Sequence, residues 1–145
     1  MQALAAGAIN KGEIMVWVNI VGLLALIQML VFAHLVGHAR GQYGIKAPAT
    51  TGHPTFEAWF RVQGNTVEMA IVFLPALWLA AGYWQPRYVA LVGLVYLVGR
   101  ALFAQGYVKH PDKRGLGFGI SYLAVAVLII AALVGAVREL VSHQA

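Results

Sequence analysis

The residues best suited to chemistry in this sequence lie in the stretch Phe60-Arg61-Val62-Gln63-Gly64-Asn65-Thr66-Val67-Glu68. At 3.6 residues per helical turn, Arg61, Asn65 and Glu68 fall at i, i+4 and i+7, one stripe of one helix. Gln63 points elsewhere, and a subunit boundary is one place it could reach. A second stripe, Arg100, Phe103 or Ala104, and Tyr107, stands further along the chain. Facing each other, the two stripes make a polar pocket beside long apolar runs. Two readings are open. Glu68 and Arg100 could form an ion pair that only locks two helices together, because an unpaired carboxylate near membrane depth is costly. Alternatively, the pocket binds a ligand. The cations favour the second: Arg40, Arg61, Arg100 and Arg114 are expected to converge on one face against Glu68 and Asp112. Guanidinium forks match carboxylates bidentately, so an anionic ligand is expected.

Other polar residues carry less. His34 and His38 have a metal-ligand spacing, but zinc sites need three or four protein ligands and no third is visible, so no metal is expected. The chain has no cysteine, which excludes disulfides, thiolate metal sites and a cysteine nucleophile. Any thiol chemistry must use a thiol brought by a substrate. Asn19 and Gln28 are expected to donate hydrogen bonds between helices. Lys109 and Lys113 suit a solvated loop or lipid headgroups.

The elements that position these residues are membrane helices. The 145 residues suffice for one domain, taken as 1–145, and are 61% hydrophobic and 10% charged. A soluble protein of this size cannot hide so much apolar surface. Four spans are expected, at about 14–37, 56–84, 88–107 and 116–137, each near the roughly 20 residues that cross a bilayer. The first is too long for a signal-peptide core of about 7–15 residues and is expected to remain as a helix. Gly41, Gly44, Pro48 and Gly52 mark a loop from Arg40 to Pro54. Gln85-Pro86-Arg87 is a tight turn, so the second and third helices form an antiparallel hairpin. Lys109 to Gly115 joins the third to the fourth. Gly93, Gly99, Gly115, Gly117 and Gly119 suit close helix approach in lipid. The first and third loops share Arg40, Lys46, Arg61, Lys109, Lys113 and Arg114, against Lys11, Arg87 and Arg138 opposite. The positive-inside rule then places those two loops in the cytoplasm and both termini across the membrane. No basic, aromatic-interleaved soluble surface suggests nucleic acid.

Three segments together resemble the MAPEG family, the membrane-associated proteins in eicosanoid and glutathione metabolism. They are Pro48-Ala49-Thr50-Thr51-Gly52 with the Phe60-to-Glu68 stretch, Phe73-Leu74-Pro75-Ala76-Leu77-Trp78, and Gly93-Leu94-Val95-Tyr96-Leu97 through Arg100 to Gln105-Gly106-Tyr107. The similarity runs from about Arg40 to Val127 and is nearest to the branch of leukotriene C4 synthases and microsomal glutathione transferases. It implies an all-α, integral membrane four-helix bundle that assembles as a homotrimer, with glutathione held between neighbouring subunits. By position it implies that Arg40, Arg61, Gln63, Asn65, Glu68, Arg100 and Tyr107 bind glutathione and that Arg114 stabilises its thiolate. Phe103 and Met69 stand where leukotriene-forming members carry tyrosines, and Gly41 replaces a second basic residue. No clear counterpart exists for the serine proposed for prostaglandin E synthesis.

The expected function is therefore a membrane-bound glutathione transferase, or a glutathione-dependent lipid-hydroperoxide peroxidase, with a detoxifying role. Its partners would be glutathione, a lipophilic electrophile or lipid hydroperoxide, and membrane lipid. The alternative is a non-catalytic lipid-binding scaffold of the same family, against which Arg61, Asn65, Glu68 and Tyr107 argue. A small multidrug exporter would need a carboxylate deep in its first helix, and 14–37 has none.

Overall fold

A computed structural model of the chain describes the backbone of residues 2–144 and the side chains of 15–110 and 112–144. Lys11 and Glu13 therefore lie outside the described side chains. Four helices follow one another: α1 Gln2–Gln42, α2 Pro54–Tyr83, α3 Pro86–Lys109 and α4 Arg114–Ser142, with a short 3-10 turn at Pro111–Lys113 before α4. All four contain segments long and apolar enough to cross a membrane. The helices extend past the expected spans: α1 continues to Gln42, and α4 reaches Ser142. Apolar content marks only the part of a helix in lipid, whereas backbone hydrogen bonding carries it on past the interface.

Local chemistry sets the ends. His53 caps α2, its Nδ1 accepting from the Thr55 N–H at 3.2 Å, and Pro54 takes the first helical position, where a missing N–H costs nothing. Glu57 reaches back to accept from the Gly52 N–H at 2.9 Å. Gly52 has φ +142°, which glycine adopts without strain. Tyr43 stacks on His53 at 3.5 Å, tying the α1–α2 loop to the start of α2. Pro86 opens α3 directly after the short turn, giving the expected hairpin.

The helices pack as an up-and-down bundle with two apolar clusters. The larger contains Val18, Val21, Phe73, Leu77, Tyr96 and Leu128, with Phe73 and Tyr96 stacked at 3.7 Å. The smaller, at the other end, gathers Phe32, Val62, Phe103 and Ala104 around the polar residues discussed below. Gln28 donates to the Leu97 carbonyl at 3.0 Å, and the Trp78 indole donates to Asn19, which accepts where donation was expected. α3 and α4 approach so closely that a Cβ at Gly99 would lie 2.6 Å from the Ser121 nitrogen. Gly117 meets the Phe103 backbone in the same way, whereas Gly115 and Gly119 face open space. The outside is apolar, with Leu30 70% and Leu116 71% exposed. A surface of that kind is at rest in lipid, not in water.

Candidate functional site

At the end of the bundle where α1 and α3 finish and α2 and α4 begin, a cavity of about 600 Å³ opens between α2, α3, α4 and the α1–α2 loop. It lies within the roughly 300–1,000 Å³ typical of small-molecule sites. Arg61, Asn65 and Glu68 line it from α2, Tyr107 from α3 and Arg114 from α4. The predicted α2 stripe is thus one wall. Arg114 was expected in a loop, but it is the first residue of α4, and its guanidinium sits 5.1 Å above the Tyr107 ring. The 3-10 turn absorbs the loop and brings this arginine to the cavity mouth. Phe60, Phe103 and Phe118 supply apolar walls, with Phe103 and Tyr107 edge to face at 5.5 Å.

The expectation that four arginines converge on one face needs correction. Arg61 and Arg114 line the cavity; Arg40 and Arg100 do not. Arg40 donates to the carbonyls of Ala49 at 2.9 Å and Ile45 at 3.4 Å and lies 4.6 Å over the Phe56 ring. It sits at the end of α1, where the loop's carbonyls are the nearest acceptors. Gln63 is half-buried on another face of α2 and also lies outside the cavity lining. Glu57 lines it and was not anticipated. The lining therefore holds two cations and two carboxylates, rather than an arginine surplus. Each carboxylate accepts one hydrogen bond, Glu57 from the Gly52 N–H and Glu68 from Asn65, and both keep their charge beside Arg61 and Arg114.

Arg100 is fully buried, with 0% exposure inside a single chain. Its Nη1 donates to Asn65 Oδ1 at 3.0 Å and its Nη2 to Thr66 Oγ1 at 2.6 Å, and its guanidinium lies 4.2 Å over the Phe103 ring. The Glu68–Arg100 ion pair, the alternative to a ligand site, does not form. Asn65 stands between them, its Nδ2 donating to Glu68 Oε2 at 3.5 Å. Among the described residues the one contact between a basic and an acidic side chain within 4 Å is His143 Nε2 to Glu139 Oε1 at 3.8 Å, far from this site. Thr66 escaped the sequence reading, although one signal pointed to it. A lone arginine in an apolar run needs partners at its own depth, and Thr66 beside Asn65 is polar at that depth. His34 and His38 are exposed on α1, and no group of three metal-capable side chains occurs among the described residues.

A membrane four-helix bundle with a charged, aromatic-walled cavity at one end is the class of protein that fold and site define. The chain belongs to the MAPEG family, whose model matches residues 18–134. It is 41% identical over 131 residues to the uncharacterized protein sll1147 of Synechocystis sp., covering 90% of this chain and 95% of that one. It is 39% identical to the human microsomal glutathione S-transferase 2, covering 79% of this chain and 78% of the relative. To the bovine leukotriene C4 synthase it is 35% identical, with 79% and 77% covered.

Proposed function

We propose that this protein is a membrane-bound glutathione transferase that activates the glutathione thiol for attack on lipophilic electrophiles. The observation that carries the reading is the charge pattern of the cavity: two guanidiniums without an ion-pair partner among the described residues, Arg61 and Arg114, beside the carboxylates Glu57 and Glu68. Glutathione bears two carboxylates and one ammonium, and this set complements it. The similarity to microsomal glutathione S-transferase 2 and leukotriene C4 synthase supports the same reading. Asn65 and Tyr107 add neutral hydrogen-bonding groups to the wall.

Arg114 beside the sulfur favours the thiolate by opposite-charge stabilisation, the physics that lowers a cysteine thiol from about 8.5. The thiol proton passes to water. The sulfur lone pair then forms the new bond to an electrophilic carbon, and the electrons of the breaking bond leave with the displaced group or open a strained ring. A lipid hydroperoxide would meet the same thiolate at oxygen, giving an alcohol and a sulfenic acid that a second glutathione converts to disulfide and water. Phe60, Phe103 and Phe118 provide the apolar side on which such a substrate rests.

We further propose a homotrimer. In that assembly Arg40 and Gln63, which do not line the cavity of their own chain, would contribute to a neighbour's, as the family resemblance implies. Calorimetry on detergent-purified protein tests the function: glutathione binds more tightly than S-methylglutathione, since only the former yields a thiolate. Equal affinity of the two removes thiolate stabilisation, and absence of binding to either leaves the lipid-binding scaffold.

A further inference from the structure

We propose that Arg100 is a positioning residue that never meets the ligand and fixes the hydrogen-bonding sense of Asn65 at the cavity wall. Its effect on glutathione rests on the function proposed above; the lock itself does not.

A side-chain amide has an acceptor end and a donor end, and rotation by half a turn exchanges them. A guanidinium has donors only, so the Asn65 atom facing Arg100 Nη1 at 3.0 Å must be the oxygen. The flipped amide would set N–H groups against a buried cation and lose that bond, which costs more in a low-dielectric interior than in water. The arginine is itself anchored independently of Asn65. Thr66 donates its one hydroxyl proton to the Val62 carbonyl at 2.7 Å, leaving its lone pairs to accept from Nη2 at 2.6 Å. The Phe103 ring lies under the guanidinium at 4.2 Å. Since Arg100 is 0% exposed and absent from the cavity lining, a ligand there meets Asn65 and not Arg100.

The consequence reaches the cavity through Nδ2. It donates to Glu68 Oε2 at 3.5 Å and holds that carboxylate in place. The end of Asn65 turned away from Arg100 is then its N–H donor end, which suits an anionic group. Arg100 thus acts on ligand recognition without touching the ligand.

The chain has only three asparagines, Asn10, Asn19 and Asn65, so selective ¹⁵N-asparagine labelling resolves the side-chain amide directly. In ligand-free protein the Asn65 amide protons should exchange slowly and broaden or quicken in Arg100→Met. Replacing a buried charge by an apolar side chain of similar size is often neutral for folding, so the variant is expected to assemble. Arg100→Lys keeps the charge but lacks the planar fork, and serves the same comparison should Met disrupt assembly. In glutathione calorimetry, Arg100→Met and Asn65→Ala should each weaken binding by about tenfold, the worth of one charge-assisted hydrogen bond. The double variant should be no weaker than Asn65→Ala alone. Multiplying losses would mean that Arg100 acts on the ligand by another route, and would overturn the proposal. Unchanged Asn65 exchange in the Arg100 variants would overturn it as well. Absence of glutathione binding in the unsubstituted protein would instead sink the proposed function, and the exchange measurement would still decide the lock.

Discussion

Glu68 and Arg61 stand on the same wall with no ion-pair partner among the described residues, so their charges are available to a ligand. Glu68→Gln and Arg61→Ala should each weaken glutathione binding by about 2–5 kcal/mol, the usual loss when one side of a charge pair is removed. Neither side chain supports the bundle, so both variants should purify assembled; calorimetry and size measurement check the two statements separately. A variant that fails to assemble, with survivors binding normally, would return these residues to a structural role. Arg114 differs because its effect falls on the sulfur. Arg114→Ala should lower turnover far more than affinity, each unit of thiol shift corresponding to about 1.36 kcal/mol. The thiol then returns toward about 8.5, so raising pH should restore part of the rate. Ultraviolet thiolate absorbance at varied pH reads this directly. A normal thiolate titration in the variant would move the role to Tyr107.

Helix contact is the scale at which glycine decides. Gly117 lets the Phe103 backbone come within the space of a side chain, and Gly99 does the same for Ser121. Both lie on the α3–α4 seam that carries Arg100, Phe103 and Tyr107 on one side and Arg114 and Phe118 on the other. Gly117→Ala must push the seam apart, because the clash is with backbone and not with a movable side-chain end. The expected cost is about 1–3 kcal/mol, seen as earlier thermal unfolding in detergent together with weaker glutathione binding. Gly119 sits two residues on, with nothing within 4 Å of a new Cβ. Gly119→Ala should leave both measurements unchanged or gain up to about 1 kcal/mol from helix propensity. Equal behaviour of the two variants would show that the seam is not held by this contact.

Across the whole molecule, the apolar exterior and four helices long enough to span fit a bilayer, and the proposed trimer would decide what completes the cavity. Arg100 needs no neighbour to shield it from lipid, since its own chain covers it entirely. Arg61 and Glu68 remain exposed, and α2 presents Ile71, Val72 and Leu79 on its outer surface. A trimer is expected in mild detergent by native mass measurement; monomers with full activity would rule it out. Sidedness can be read with single cysteines, because the chain has none of its own. Lys46→Cys in the first loop and Gln85→Cys in the second should label from opposite sides with an impermeant maleimide. Lys46 is expected to be cytoplasmic.

Helix number, helix order and the α2 stripe were legible in the sequence, because apolar run length and the 3.6-residue period are local properties of the chain. Arg61, Asn65 and Glu68 share a wall for that reason, and the second stripe and the count of cations pointed to Tyr107 and Arg114 in the same cavity. The partners of a charge are not local. Sequence spacing offered Arg100 a carboxylate as one of two readings and counted Arg40 among the converging cations. In the fold, Thr66 and Asn65 reach Arg100 first, and the carbonyls of Ile45 and Ala49 take Arg40. Which acceptor wins depends on the rotation of α2 about its axis and on how near Gly99 and Gly117 let α4 approach α3. Those are settled by packing across the bundle, so only the tertiary structure could separate the arginines that face a ligand from the one that holds the wall in place.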